Sequence, residues 1–309
     1  MKKPSKRTAV ALLTLFPLQV AGQIRVRFNP SNIRELVDSD FPALIVDSEA
    51  QSSSGGFGGA NFTVSAPEGS YLEGNYYKYQ YTRTVSHLGE RVVNTGITTS
   101  EDNPGPITLS ITGLEEGEHT LLTWHNLWDR SDGPAEVSVA VGDQAVASGI
   151  VQSSRIDNIW EAATSYITFS VGSPEETIEI VYTPSGGDGR VYLNGIEIDT
   201  PAIENQVSFP TPAHRDERLD PTDGTSIVAL WRAPTGIKTP LYNVYFSRNN
   251  DNFTAVGQGL NKTQIELTGL NQLDTYWRVD VVDGETVYSG RPFMFRLAHL
   301  AFPGAEGYG

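Results

Sequence analysis

The sequence predicts an all-β chain made of two β-sandwiches, the first of them a jelly roll. Its 309 residues include 30 glycines and 18 prolines, so turns are frequent. Short runs rich in valine, isoleucine, threonine and tyrosine recur between those turns, which is typical of strands. Long runs with the period of a helix are absent, and the length suits roughly two domains.

Residues 1–22 have the pattern of a secretory signal peptide. Four basic residues lie among the first seven, residues 9–18 are mostly apolar, and small residues precede Gln23. The apolar run is too short to span a bilayer, and no other segment is a candidate membrane span. We therefore expect a secreted, extracellular protein. The alternative is a basic N-terminus followed by a buried strand.

Charge and cysteine content exclude several classes of function. The formal net charge is −15, which opposes binding to nucleic acid. It also opposes direct binding of an acidic polysaccharide, unless calcium bridges the protein and the polysaccharide. The chain has no cysteine, so disulfides and cysteine zinc sites are excluded and the sandwiches rely on core burial.

Residues 23–200 are predicted to form the first sandwich. Strand-like runs alternate with turn signals from residue 60 onward, as in an antiparallel sandwich or jelly roll. The place of residues 23–59 within it is less defined by the sequence. Residues 51–59 are rich in serine and glycine, which predicts a linker or a long loop.

Three motifs in this region resemble those of galactose-binding-like, or malectin-like, sandwiches. They are residues 88–96, the Gly-Leu-Glu-Glu-Gly-Glu-His-Thr run at 113–120, and the Leu-Asn-Gly-Ile-Glu strand within 191–198. Many members of that superfamily bind sugars, so the resemblance implies a sugar-binding fold. Fold alone does not fix function.

The second half of the chain resembles a fibronectin type III domain over residues 220–297. Residues 227–231 fit the strand that carries the core tryptophan, and Tyr276 is placed like the tyrosine corner of such domains. We expect Trp231 and Trp277 to be structural. Residues 201–219, with three prolines and alternating charge, are predicted to be the linker between the two sandwiches.

The last residues, 298–309, contain the run Phe-Pro-Gly-Ala-Glu-Gly, which resembles the opening of a pectate lyase domain. So few residues cannot form a parallel β-helix, whose turns must stack to bury a core. The resemblance implies the truncated start of such a helix and an absent catalytic domain that would cleave polygalacturonate by β-elimination, with calcium possible there. The alternative is an accidental likeness in a complete chain.

No catalytic constellation is predicted for residues 23–300. The histidines lack metal-ligand spacing, and the sequence has neither a nucleophile elbow nor a phosphate-binding loop. Glutamate clusters in turns are typical of solvated charge. We therefore expect no catalytic residue, no metal ligand and no cofactor in these residues. A calcium ion at Asp102 and Asn103, or at Asp188, is the alternative.

Two stretches have the composition of a sugar site. Such a site needs a flat aromatic face and nearby polar groups that bind hydroxyls. One stretch follows a predicted strand that contains Trp124, which we expect to be core, and the other spans residues 155–160. The candidate carbohydrate-binding residues are Trp128, Asp129, Arg130, Asp132, Asn158 and Trp160. The alternative is that the two candidate tryptophans cover loops as apolar side chains.

The sequence thus predicts a non-catalytic, carbohydrate-binding and spacer region of a secreted pectin-degrading lyase. Its expected partner is a plant-type polysaccharide, with no nucleic acid and no membrane span, and the chain is expected to be a monomer. The alternative is a structural or cell-surface adhesion module that binds no sugar.

Overall fold

The computed structural model describes residues 23–31, 41–76, 91–128, 133–219 and 225–301. This part of the chain is all-β, which confirms the predicted fold class; its one α-helix, α1, is a single turn at Ala298–Ala301. None of its helices is long and apolar enough to cross a membrane. Of the predicted β-helix start, 298–309, the structure describes residues 298–301, which form α1. Residues 302–309 and the predicted signal peptide lie outside the described residues.

The first sandwich contributes strands β1 to β15 and a 3₁₀ turn at Arg91–Asn94. The strands are Ile24–Pro30, Ala43–Val46, Ser52–Phe57, Ala60–Ser65, Leu72–Gly74, Ile97–Thr99, Ile107–Thr112, Gly117–Leu127, Glu136–Val141, Gln144–Val151, Ser153–Ser154, Ala163–Val171, Ile178–Ser185, Tyr192–Leu193 and Gly195–Ile198.

Two large sheets form the first sandwich. One has the order β11-β8-β15-β1-β2, with β12 paired to β8. The other has the order β10-β9-β13-β7-β4-β3 and is antiparallel throughout. A small third sheet, β14-β6-β5, lies beside them. Strand β8 is therefore central, because it pairs with β11, β12 and β15.

The core of the first sandwich follows from the two-residue period of its strands. Ile107, Leu109 and Ile111 of β7 are buried, and the residues between them are less buried. They belong to one cluster with Phe28 of β1 and Leu121 of β8 in the opposite sheet. Each such buried side chain contributes about 1.5–3 kcal/mol relative to exposure, so this face-to-face packing stabilises the sandwich.

Residues 51–59, predicted as a linker or long loop, instead contain strand β3. It pairs with β4 in antiparallel register from Ser52 to Phe57. The turn between them is Gly58-Gly59, with φ of 58° and 89°. Two glycines with positive φ suit a tight hairpin turn that matches the twist of the strands, so the glycine-rich run is a hairpin at the edge of the sheet.

The second sandwich contains strands β16 to β24, preceded by a 3₁₀ turn at Ile203–Asn205. The strands are Ser208–Thr211, Asp216–Leu219, Ser226–Arg232, Leu241–Ser247, Thr254–Leu260, Gln264–Thr268, Asp274–Asp283, Thr286–Tyr288 and Pro292–Leu297. They form one sheet of order β16-β18-β21 and another of order β17-β24-β22-β19-β20, with β23 paired to β22.

The expected linker, 201–219, is in large part not a linker. Strand β16 pairs with β18 and strand β17 pairs in parallel with β24. Both strands lie at sheet edges, where proline and charge are tolerated because one side of the strand needs no partner. The second sandwich therefore begins before residue 220. Pro210 and the charged residues 216–218 of this segment belong to its edge strands, β16 and β17.

Aromatic side chains fill the second core. Trp277 is fully buried and Trp231 is 4% exposed, so the prediction that both are structural is confirmed. Their ring centroids are 6.3 Å apart, and Trp277 also lies 5.1 Å from Phe293. Tilted rings at such spacing are favoured over flat sandwiches of rings.

Candidate functional site

Trp128 directly follows β8 and is 8% exposed. Its indole N–H donates to the Val93 carbonyl oxygen, and its backbone N–H donates to Asn75 Oδ1 at 2.8 Å. A sugar platform needs an exposed aromatic face, and Trp128 is instead buried. Asp129, Arg130 and Asp132 lie outside the described residues, so their role stays a prediction.

Three buried asparagines join the segments around Trp128. Asn126 Nδ2 donates to the carbonyls of Val93 and Ile156 at 3.0 and 2.8 Å. Asn194 Oδ1 accepts from the Asn126 backbone N–H at 2.6 Å, and Asn75 Nδ2 donates to the Asn126 carbonyl at 2.8 Å. Because buried amides are costly to leave unpaired, this network fixes the end of β8 and the adjoining Trp128.

The amide of Asn158 is engaged in its own turn. Its Oδ1 accepts from the backbone N–H groups of Trp160 and Glu161 at 3.1 and 3.0 Å, and its Nδ2 donates to Glu161 Oε2 at 2.9 Å. Asparagine commonly stabilises turns in this way. A sugar contact by Asn158 stays a prediction, and such a contact would compete with these bonds.

Trp160 lies at the interface between the two sandwiches, which we call the joint. Its partly buried ring packs against the core of the second sandwich and against a cluster on the outer face of β8 that includes Trp124. The Arg291 guanidinium of the second sandwich lies 5.6 Å from its ring centroid. The two candidate tryptophans thus make different contacts, and the structure does not bring them together as one platform.

Trp124 itself is fully buried, as predicted. It stands on the outer face of β8, where Phe41 meets it edge-on at 5.8 Å between centroids. The Arg291 guanidinium lies 5.3 Å from the Trp124 ring. Contacts of this kind are favourable when the cation is desolvated, so both faces of the β8 sheet are used in packing.

A buried ionic cluster completes this joint. Residues 196 and 198 of β15 point into the core, so Glu197 points to the opposite face. Its carboxylate lies 3.2 Å from Arg25 Nε of β1 and 2.9 Å from Arg291 Nη2 of the second sandwich. Arg291 Nε also donates to Gln206 Oε1 at 3.0 Å. The pairing of Glu197 with arginines from both sandwiches fixes their relative placement.

His125 faces the interior of the first sandwich. Its Nδ1 donates to the Tyr192 carbonyl at 3.0 Å, which leaves Nε2 as an acceptor that lies 2.9 Å from the Thr123 hydroxyl and 3.1 Å from the Ser165 hydroxyl, and these two hydroxyls also bond to each other. Burial lowers the pKa of His125 from 6.5 to about 4. A serine beside a histidine can be catalytic, but these groups are buried in the core, so we interpret them as structural.

No cluster of three potential metal-ligating side chains occurs within the described ranges. Asp188, which the sequence offered for calcium, has Oδ2 bound by the Tyr192 hydroxyl and lies 3.6 Å from Arg190 Nε. Its carboxylate therefore has protein partners. Asp102 and Asn103 lie in an exposed bend.

Comparisons with known proteins give only distant similarities. An Fn3-like protein from Clostridium thermocellum matches at 18% identity and a TM-score of 0.24, over 29% of this chain and 90% of its own. A β-1,2-glucanase from Parabacteroides distasonis matches at 13% and 0.25, over 80% of this chain and 37% of its own. The CBM22-1–CBM22-2 tandem of Xyn10C from Paenibacillus barcinonensis matches at 9% and 0.27, over 77% and 82%.

No family model and no curated protein matches the chain. The TM-scores of these three structures lie below 0.5, so they do not assign the chain to a family.

Sequence reasoning missed the joint. Glu197 and Arg291 lie far apart in the chain, and neither stands in a motif that predicts a partner. The β3–β4 hairpin did have a signal, because Gly58-Gly59 separates two strand-like runs by two residues. The abundance of serine and glycine in the first run obscured it.

Proposed function

We propose that this chain is a non-catalytic, carbohydrate-binding and spacer region of a secreted enzyme that degrades a plant-type polysaccharide. The resemblance of residues 298–309 to the start of a pectate lyase domain supports a lyase as that enzyme and pectin as its substrate. Binding would hold the enzyme near its substrate by raising the effective concentration. The chain acts as a monomer in this proposal.

The hydrogen-bond network of the three asparagines is the observation that supports sugar binding in this proposal. Asn75, Asn126 and Asn194 are each at most 1% exposed and fix the strand end that continues into residues 129–132. Loops held on a rigid sandwich end are common ligand sites because little ordering is left for binding. Asp129, Arg130 and Asp132 supply the polar groups that bind sugar hydroxyls.

The joint supports the spacer part. Arg291 is 1% exposed and enters the first sandwich beside Trp124 and Glu197. A joint with a buried charge pair resists bending more than a flexible linker does. Bending would separate Arg291 from Glu197 and leave each charge without its partner. A rigid spacer would keep the sugar site at a constant distance from whatever follows the second sandwich.

Affinity gel electrophoresis tests the sugar binding. The purified chain is run in gels that contain galactan, xyloglucan or polygalacturonate. We expect retardation by a neutral polysaccharide, and a smaller retardation for Arg130→Ala and Asp132→Ala. Matched controls are Arg248→Ala and Asp283→Ala, exposed residues of the second sandwich. Unretarded migration of the folded chain in all three gels would overturn the proposal.

A structural or adhesion module without sugar binding is the second candidate. The burial of Trp128 and the joint contacts of Trp160 favour it, because both rings already serve packing. Under this alternative the wild type, Arg130→Ala and Asp132→Ala all migrate as far in each polysaccharide gel as they do in a gel without polysaccharide. Trp128→Ala lowers stability under either function, so it does not separate them.

A further inference from the structure

A groove of about 560 Å³ opens where the two sandwiches meet. Its walls are Gln23 and the start of β1 at residues 24–25, Pro42, the hairpin residues 56–58 and Pro292 of the second sandwich. Pockets of roughly 300–1,000 Å³ at domain interfaces are common ligand sites. Trp128, Asn158 and Trp160, the predicted sugar contacts that the structure describes, do not line it.

We propose that this groove binds an uncharged saccharide unit of the same polysaccharide. The inference rests on the proposed sugar-binding function and gives it a second place of contact, whose described lining does not include Trp128. It also makes the bound sugar a contact between the two sandwiches.

The apolar part of the groove suits the C–H face of a pyranose. Phe57 is partly exposed, and its ring is held by packing on the core and by Phe62 at 6.1 Å between centroids. Pro42 and Pro292 add two further rigid rings from the two sandwiches. Rigid rings lose little conformational entropy on binding, which favours affinity for a flat ligand.

The polar part of the groove suits hydroxyl groups. Arg25 Nη2 donates to Gln23 Oε1 at 3.0 Å, so the Gln23 amide is oriented by a partner in the same wall. The Gln23 amide nitrogen is the donor that we assign to a ligand hydroxyl. The glycines on either side of Phe57 leave backbone groups of the hairpin accessible beside the ring.

The charges around the groove favour an uncharged ligand. Among the described residues of its lining, Arg25 carries a charge, and its Nε lies 3.2 Å from the Glu197 carboxylate, which compensates that charge. The chain as a whole carries a formal charge of −15, which repels acidic sugars. A neutral galactan or xyloglucan segment therefore fits better than a galacturonate segment.

Titration calorimetry of the full chain with galactotriose, a xyloglucan heptasaccharide and trigalacturonate tests this inference. The variants are Phe57→Leu, which keeps an apolar side chain on the core, and Gln23→Ala. Phe253→Leu and Gln144→Ala make the same changes outside the groove. Arg130→Ala tests whether the first candidate site, at residues 129–132, contributes to binding. Melting temperatures show that each variant is folded.

We expect a neutral oligosaccharide to bind, and Phe57→Leu to weaken it about three- to tenfold through loss of the aromatic face. Gln23→Ala should weaken it similarly, and the two controls should not. If both groove variants keep the wild-type affinity and Arg130→Ala loses affinity, the groove is not a sugar site and the proposed function stays intact. Absence of binding by the wild type would overturn both.

Discussion

Arg291 Nη2 of the second sandwich lies 2.9 Å from Glu197 Oε2 of the first, with side chains 1% and 0% exposed. Two charges that leave water together are stable only when they remain paired and hydrogen-bonded. Gln206 Oε1 accepts a hydrogen bond from Arg291 Nε, and Arg25 lies within ion-pair distance of Glu197. The two sandwiches should therefore unfold together, because separating them would break a buried ion pair.

Arg291→Met should destabilise the joint and separate the unfolding of the two sandwiches. Breaking a buried pair by removing one partner costs about 3–5 kcal/mol, and the lower value applies because Glu197 keeps Arg25. Differential scanning calorimetry should show one transition for the wild type and two for the variant.

Arg296→Met is the matched control for that measurement. Arg296 Nε lies 2.7 Å from Asp274 Oδ1, but the side chains are 33% and 37% exposed. Exposed pairs contribute at most about 1 kcal/mol, so its trace should keep the wild-type shape. A single transition in Arg291→Met, close to the wild-type temperature, would show that the joint does not couple the sandwiches.

His125 should make stability fall in acid. Its folded pKa of about 4 lies below its usual 6.5 because of burial, so the folded state favours the neutral ring. This contribution is fully present above pH 6.5 and is lost as pH falls from there toward 4. The difference between the two pKa values corresponds to about 3 kcal/mol. Urea denaturation at a series of pH values measures it.

The comparison that isolates this effect is with His125→Gln. Glutamine does not titrate, so the gap in unfolding free energy between wild type and variant should narrow as pH falls from 6.5 to 4. The neighbouring Tyr182, 5.5 Å away between ring centroids, stays neutral because burial raises its pKa. Curves that run parallel through this interval would show that His125 is not the acid-sensitive group.

Gly58→Ala tests the hairpin that sequence reasoning missed. Alanine at a φ of 58° is strained, and its Cβ would lie 2.7 Å from Ile24 Cγ1. We expect a loss of roughly 2–3 kcal/mol, from left-handed strain and overpacking together. Gly142→Ala has a φ of 55° and no atom within 4 Å, so it should lose only about 1 kcal/mol. Equal losses in chemical denaturation would contradict the contact of the hairpin with β1.

Asn194→Ala should be among the more damaging substitutions in the first sandwich. Asn194 is fully buried, and its Nδ2 donates to the carbonyls of Thr95 and Asn126 at 2.8 and 3.1 Å. Each buried group left unpaired costs about 1–3 kcal/mol. Asn158→Ala, in a partly exposed turn, should cost about 1 kcal/mol or less. A small loss for Asn194→Ala would show that the network does not hold the sandwich end.

The sequence predicted the fold class and much of the cores because those depend on local patterns. Alternating apolar residues such as Ile107, Leu109 and Ile111 mark a strand with one buried face whatever lies opposite. Trp124, Trp231 and Trp277 were expected to be structural for the same reason, since each stands within an apolar strand.

The joint and the site could not be predicted in this way. The position of Arg291 against Glu197 and Trp160 depends on how two finished sandwiches meet, and no local pattern encodes that. The sequence therefore offers Trp160 as a sugar contact, whereas its ring packs against the second sandwich. Edge strands β16 and β17 were similarly missed because edges tolerate the residues that usually mark linkers.

The most direct test of sugar binding is a calorimetric titration of the folded wild-type chain with a neutral galactan oligosaccharide and an oligogalacturonate of equal length. Saturable heat with the neutral sugar, and a much weaker signal with the acidic one, is the expected result. No heat with either sugar, from protein whose melting shows both sandwiches folded, would contradict the account.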